Sequence, residues 1–243
     1  MSNRVFILLT EGENDQCIAD AFDECLSPRF QGVPEHGDIT VEKVRIGADV
    51  RYMSVKAILG RIRTLIRDET ARMHEFAVRD IIAVAQLTDL DGAYIPDSHV
   101  TEGDGLAYLA DRIETDHPES IVERNRHKRN NMEALCRQTS IKLTGGRQVP
   151  YRLFYNSRNL EHAMHGETGD LKPEDKRDLS LHLTEQADDD PAWFKDLVTS
   201  EPVLHGLHDY AASWQWAQQG TNSLARGSNI GLLPQEFGLE WGV

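Results

Sequence analysis

Two aspartates one residue apart, Asp89 and Asp91, close an apolar run and stand directly before Gly92 in the stretch IIAVAQLTDLDGAY at residues 81–94. Alternate residues of an extended chain share a face, so both carboxylates can project toward one point. Carboxylates held that close repel and raise each other's pKa, and a cation between them relieves the repulsion. Oxygen-only ligands select a hard ion, magnesium (Mg2+) or in its place manganese (Mn2+). A second acidic turn, TEGENDQ, carries Glu11, Gly12 and Asp15 directly after the apolar run VFILL at residues 5–9. The structural alternative stands beside this chemistry: Asp and Gly are common turn formers, and Asp89 and Asp91 can equally be strand-end turn residues.

The elements that would position these acids follow from hydrophobic spacing. Ile81, Ile82, Ala83, Val84 and Ala85 are rich in β-branched residues and lack helical spacing. They predict a strand buried on both faces, in the middle of a parallel sheet. In open α/β sheets ligands sit beyond the carboxyl ends of the strands, where this strand delivers Asp89 and Asp91, and Gly92 permits the tight turn that exposes them. Residues 5–9 predict a second strand, followed by a helix capped at Asn14 or Asp15, with Ile18, Phe22, Cys25 and Leu26 on one face and Pro28 at its end. Residues 39–46 predict a less buried strand. Residues 53–67 predict a helix with Val55, Ile58, Leu59, Ile62, Leu65 and Ile66 as its apolar stripe. The order β-α-β-α-β gives three strands of a parallel sheet. Further on, residues 106–115 predict a helix, residues 151–155 a strand, and residues 156–165 a turn and helix bearing Glu161, His162 and His165. The two histidines lack the further ligands zinc needs and are read as surface or supporting groups. From residue 172 the chain is expected to be helical, with Asp188, Asp189 and Asp190 before Pro191 starting a helix.

With 243 residues, 40% hydrophobic and 27% charged, the chain can bury the core of one large domain or of a domain with an insertion. A formal charge of -14 argues against indiscriminate binding to nucleic acid or anionic membrane. Residues 123–148 depart from that average. They hold Arg124, Arg126, Lys128, Arg129, Arg137, Lys142 and Arg147 against only Glu123 and Glu133. Such a run suits a polyanionic partner, or else a solvated loop pairing with the surplus acids. Cys17, Cys25 and Cys136 are odd in number and lack metal-site spacing, so reduced thiols in a cytoplasmic protein are expected. VFILL is too short for a signal h-region or a membrane span, and no membrane association is expected.

EGENDQ after an N-terminal strand and TDLDGAY after a later one resemble the two signatures of the Toprim domain, the catalytic module of primases, topoisomerases and several nucleases. Glu11, Gly12 and Asp15 match the first signature, Asp89 and Asp91 the second. Among Toprim proteins the small stand-alone RloB-like group, related to the nuclease half of the OLD family, looks closest. Glu161 matches that group's acid after a late strand, although Asn156, Ser157 and Arg158 stand where the group has Ser-Asn-Pro. The resemblance covers about residues 3–95 and 150–166. It implies a Toprim-like α/β domain over residues 1–166, a mostly parallel sheet flanked by helices, with a basic insertion at about residues 96–148. Residues 167–243 would be a helical extension packed on the same core. It also implies a magnesium-dependent nuclease or phosphoryl-transfer protein acting on DNA or RNA, in defence against foreign nucleic acid such as phage, alone or with a protein partner. Glu11 would be the acid/base, and Glu11, Asp89 and Asp91 the metal ligands, with Asp15 and Glu161 in support. Gly12, Gly92, Arg124, Arg126, Lys128 and Arg129 would contact substrate.

Two other functions compete. DLDG also resembles the strand-end motif of haloacid-dehalogenase-like phosphatases, with Asp89 as nucleophile and Asp91 as acid/base. Ala93 stands where that family prefers Thr, and Asp188, Asp189 and Asp190, the later acidic cluster, lack a preceding strand. Alternatively the chain is a non-catalytic Toprim-like module for binding or assembly, using the basic run for nucleic acid or a partner.

Overall fold

The structure, a computed structural model, describes residues 4–46 and 48–243. Strand β1 (Val5–Thr10) passes through a single 3-10 turn into helix α1 (Cys17–Cys25) and strand β2 (Arg29–Pro34). A hairpin of β3 (Lys43–Ile46) and β4 (Asp49–Tyr52) precedes helix α2 (Val55–Met73) and strand β5 (Ile81–Asp89). Short strands β6 (Val100–Glu102), β7 (Ala107–Tyr108) and β8 (Ile113–Thr115) come before helix α3 (Pro118–Cys136). Strands β9 (Ser140–Lys142) and β10 (Gln148–Ser157) then lead to helix α4 (Leu160–His165). The remainder is mostly helical: α5 (Pro173–Asp189), α6 (Pro191–Thr199), α7 (Glu201–Leu204), α8 (Tyr210–Ala217), the short strand β11 (Gly227–Ser228) and α9 (Leu233–Phe237).

The central sheet has the order β11-β10-β5-β1-β2. Strands β2, β1, β5 and β10 run parallel, and β11 and β9 pair with β10 antiparallel. Alternation along β1 explains why the sheet is covered twice. Phe6 and Leu8 pack with Ile18 and Phe22 of α1, Leu183 of α5 and Phe194 of α6. Val5, Ile7 and Leu9 pack with Ile58, Ile62 and Ile66 of α2 and Met132 and Leu135 of α3. Each such side chain, buried in full, contributes on the order of 1.5–3 kcal/mol from removal of apolar surface, so the two layers fix the sheet before any polar contact matters. Residues beyond the carboxyl ends of β1, β5 and β10 therefore meet at one edge. Among the described residues no helix is long and apolar enough to cross a membrane.

Several expectations are corrected. The third parallel strand is β2, not residues 39–46; β3 lies in a separate two-stranded hairpin. Pro28 ends α1, as expected, yet the chain resumes at once as an edge strand, where the terminal Pro34 costs no ladder bond. Residues 106–115 form no helix. They supply β7 and β8 of a three-stranded sheet, turned where the Leu109 N–H donates to the Arg112 carbonyl (2.9 Å), with Ile113 buried against Ile95, Val100 and Leu224. Asp15 does not cap α1; it lies in the 3-10 turn and accepts the Gly12 N–H (2.8 Å). The basic run is no solvated loop, because its first part is α3, whose buried positions are Asn125, Lys128, Asn131, Met132 and Leu135. Asp190 caps α6 by accepting the Trp193 N–H, and so serves helix geometry.

Candidate functional site

The acids after β1 and β5 are tied to each other by the sheet that delivers them. Glu11 Oε1 accepts the Thr88 hydroxyl (2.6 Å) and the Asp89 N–H (2.8 Å), which clamps the end of β1 to the end of β5. In the parallel register Asn156 of β10 stands beside Asp89, and its amide donates to Asp89 Oδ1 (3.1 Å). Asp91 turns in the left-handed region (φ 48°), its N–H donating to the Arg158 carbonyl (3.0 Å). Gly92 (φ 67°) has no room for a Cβ, which would stand 2.7 Å from Leu224 Cδ2. On β10's far side Asn159 caps α4 through the His162 N–H (2.9 Å), which sets Glu161 in the first turn.

Lys128, fully buried on α3, places Nζ 2.7 Å from Asp38 Oδ2 and 2.7 Å from Asp91 Oδ2. Burial works against its charge, but Asp38, Asp91 and Glu11 outweigh that and hold its pKa well above the ordinary lysine value. Burial alone would raise the Asp91 carboxyl; Lys128 and then Arg124 overcome it and hold the pKa below the usual value. Asp89 goes the other way. Burial, then the charges of Glu11, Asp15 and Asp91, push it well up. Glu11 is raised well above its usual value by burial and by Asp38, and Asp15 is raised chiefly by burial.

Asp89, Asp91 and Glu161 line one cleft of about 590 Å³, with Tyr108, Arg158 and Lys176 on its walls. Lys176 reaches Glu161 at 3.1 Å. Glu11 lies behind Asp89 rather than on the cleft wall, and Asp15 sits close enough to Glu161 for the two charges to be felt. A larger cavity, about 700 Å³, opens between Arg4, Phe6, Phe76 and Phe237 at the opposite, amino edge of the sheet. Its Arg29 is paired with Glu75 at 2.7 Å and no cluster of acids converges there among the described residues, so the smaller cleft is the candidate site.

The basic residues expected at the surface are distributed differently. Arg124 donates to the Tyr108 hydroxyl (2.7 Å) and the Asp91 carbonyl (3.0 Å), and Arg129 to the Ala93 carbonyl (2.9 Å). With Lys128 buried, three of these four cations brace the Asp91 turn from behind, and only Arg126 is exposed. His162 is buried rather than at the surface. Asp38, Asn156, Arg158 and Lys176 are site residues that sequence reasoning did not assign. Arg158 and Asn156 were visible only as a departure from a motif, and Asp38 follows no strand that would mark it.

A hard divalent ion fits the donor chemistry here: the groups are carboxylates, and burial and neighbouring acids raise Asp89 and Glu11, a condition that a cation relieves. Among the described residues no group of three His, Cys, Asp or Glu is gathered to hold a metal ion, so an ion at Asp89 would keep mostly water ligands. Comparison with family models, with curated proteins and with solved structures returned no match for this chain.

Proposed function

We propose that the protein is a magnesium- or manganese-dependent phosphodiesterase of Toprim type, acting on nucleic acid. One observation carries this reading: Asp89 and Asp91 from the turn after β5 and Glu161 from α4 line the same cleft as Arg158 and Lys176. Acids that can hold a cation beside basic groups that can meet phosphate are what phosphoryl displacement needs, although Lys176 is paired with Glu161 at 3.1 Å. Asp89 would hold the ion, with Glu161 and, through water, Asp91 in support; the ion when bound neutralises charge on a phosphodiester oxygen. Glu11, fixed by Thr88 and the Asp89 N–H behind the cleft wall, would hold Asp89 in position for the ion, its own carboxyl raised by burial and by Asp38. Arg124 and Arg129 hold the Asp91 turn in place and leave the phosphate contacts to the cleft walls.

Calorimetric titration with Mg2+ and Mn2+ tests the metal half of the proposal. Wild type is expected to bind one ion in the cleft, and Asp89→Ala to lose at least tenfold in affinity. Metal-dependent cleavage of single- or double-stranded DNA or RNA should vanish in both Asp89→Ala and Glu11→Ala; cleavage retained in both defeats the proposal. A second reading, a binding module without catalysis, draws on the Lys128 ion pairs, which already answer part of the acid charge from within. It is favoured if nucleic acid binds equally with and without metal and is never cut.

A further inference from the structure

The chain carries 40 acidic side chains against 26 lysines and arginines, so a buried arginine should find a carboxylate easily. Arg158 does not. It is 8% exposed, forms no ion pair among the described residues, and leaves Nε buried without a hydrogen-bond partner. Its Nη2 donates to the Thr168 carbonyl, and its guanidinium lies 6.0 Å from the Tyr108 ring centroid. Beside it His162 is equally buried, with Nδ1 unpartnered. The next arginine, Arg226, spends its guanidinium on the Ala163 (3.0 Å) and Met164 (2.9 Å) carbonyls and likewise pairs with no carboxylate among the described residues. Unpaired buried charge is costly, and a guanidinium with free in-plane N–H groups matches a phosphoryl group.

The backbone aims this side chain deliberately. Arg158 sits in the left-handed region (φ 61°), which disfavours a non-glycine residue. Its N–H donates to the Ser223 carbonyl (3.0 Å) while its carbonyl accepts the Asp91 N–H (3.0 Å). The same two hydrogen bonds therefore fix the Asp91 turn and direct Arg158 onto the cleft wall.

We infer that Arg158, with His162 behind it, forms an anion subsite that takes a phosphate group of the substrate next to the acids at Asp89 and Asp91, while Lys176 on the same cleft stays paired with Glu161. The identity of the ligand as a phosphate ester rests on the phosphodiesterase reading; the subsite itself rests on the unpaired buried guanidinium. The phosphate could be an internal diester or a terminal monoester, and the two are separated by the length-matched oligonucleotides named below.

The test uses the full chain without metal. Inorganic phosphate is titrated by calorimetry into wild type, Arg158→Met and Arg158→Lys, followed by an oligonucleotide with and without a 5′-phosphate. Saturable phosphate binding that weakens at least tenfold in Arg158→Met and less in Arg158→Lys is expected. A preference for the 5′-phosphorylated strand that disappears in Arg158→Met assigns the terminal monoester, whereas equal, Arg158-dependent binding of both strands assigns the internal diester. Because Arg158→Met could fail to fold, the Nε–H resonance of Arg158 is followed in wild type and should shift on adding phosphate. No phosphate binding by wild type, or unchanged binding in a folded Arg158→Met, overturns the subsite. Metal binding is scored separately: its loss with phosphate binding intact defeats the metal reading alone.

Discussion

Lys128 and Asp89 mark two neighbouring regions of one acidic edge in which charge is settled in opposite ways. Around Lys128 the protein answers its own acids, with one buried ammonium 2.7 Å from both Asp38 and Asp91. Around Asp89 the answer is weaker: an amide from Asn156 is the donor to its carboxylate, and burial with neighbouring acids outweighs Lys128 and raises its pKa well above the ordinary value. Two aspartates one residue apart therefore titrate in opposite directions, Asp91 lowered and Asp89 raised. The inner region is a structural clamp, and in the outer one Lys128 offsets only part of what burial and neighbouring acids do to Asp89. Linkage gives the difference an observable sign. Asp91 contributes stability above its unfolded pKa that is lost as pH falls through its lowered folded value, whereas Asp89 opposes folding as pH rises above the ordinary aspartate value.

The strongest way to break the comparison is to remove the inner cation. Lys128→Met leaves Asp38 and Asp91 facing each other in a buried setting, and removing one partner of a buried ion pair costs about 3–5 kcal/mol. Urea unfolding should show that loss, and Asp38→Asn added to Lys128→Met should restore a measurable part of it. If Lys128→Met is as stable as wild type, the inner region is no clamp, and the contrast with Asp89 collapses.

A smaller effect, of opposite sign, is expected next to that clamp. Glu35 is 2% exposed, and neither carboxylate oxygen meets a donor at hydrogen-bonding geometry among the described residues. Burial first, then Glu11 and Asp38, raise its pKa well above 4.5, although the Ile39 N–H and Gln86 amide are near enough to offset part of this. A folded-state pKa above the unfolded one means the native protein takes up a proton, so Glu35 destabilises it increasingly as pH rises past about 4.5. Glu35→Gln mimics the protonated form. Thermal unfolding should show the variant more stable by about 1–3 kcal/mol at pH 8, the usual cost of an unsatisfied buried group, with the gain vanishing near pH 4. A loss at both pH values would mean that the carboxylate itself is needed there.

What was legible in the chain divides along the same line. Strands β1 and β5 and the acids at their ends were readable because an uninterrupted apolar run ending in Asp or Glu and Gly has few other meanings in an α/β sheet. Helix α2 was readable from Ile58, Ile62 and Ile66 at helical spacing. Helix α3 was not, because its inward face is built from Asn125, Lys128 and Asn131, so the apolar period that betrays a helix is absent. The polar face exists to serve the site: Lys128 pairs with acids, and Asn131 donates to the Thr40 (2.7 Å) and Met53 (3.1 Å) carbonyls. Strand β2 was hidden between two prolines, and the pair β7 and β8 resembled a helix because Leu106, Ala107 and Leu109 are good helix formers in isolation. Composition could count the basic residues of this region but could not tell which way each one faces.

The smallest expected effect separates a charge that only decorates the surface from one that the site employs. Arg126 lies on the same helix as Arg124 and Lys128, yet it is exposed, and no hydrogen bond or ion pair ties it to the Asp91 turn. If ligand recognition belongs to the cleft, Arg126→Glu should shift unfolding by no more than about 0.5 kcal/mol, as surface substitutions do. Its effect on oligonucleotide affinity should be confined to a modest, salt-sensitive loss from one reversed charge, since exposed charges act through a screened field. Fluorescence anisotropy at low and at physiological salt reads this directly, with Arg158→Met as the comparison. A loss from Arg126→Glu that matches or exceeds the loss from Arg158→Met, and that persists at physiological salt, would move the nucleic-acid contact from the cleft to the outer face of α3. The distinction between answered and unanswered charge would then no longer say where the ligand binds.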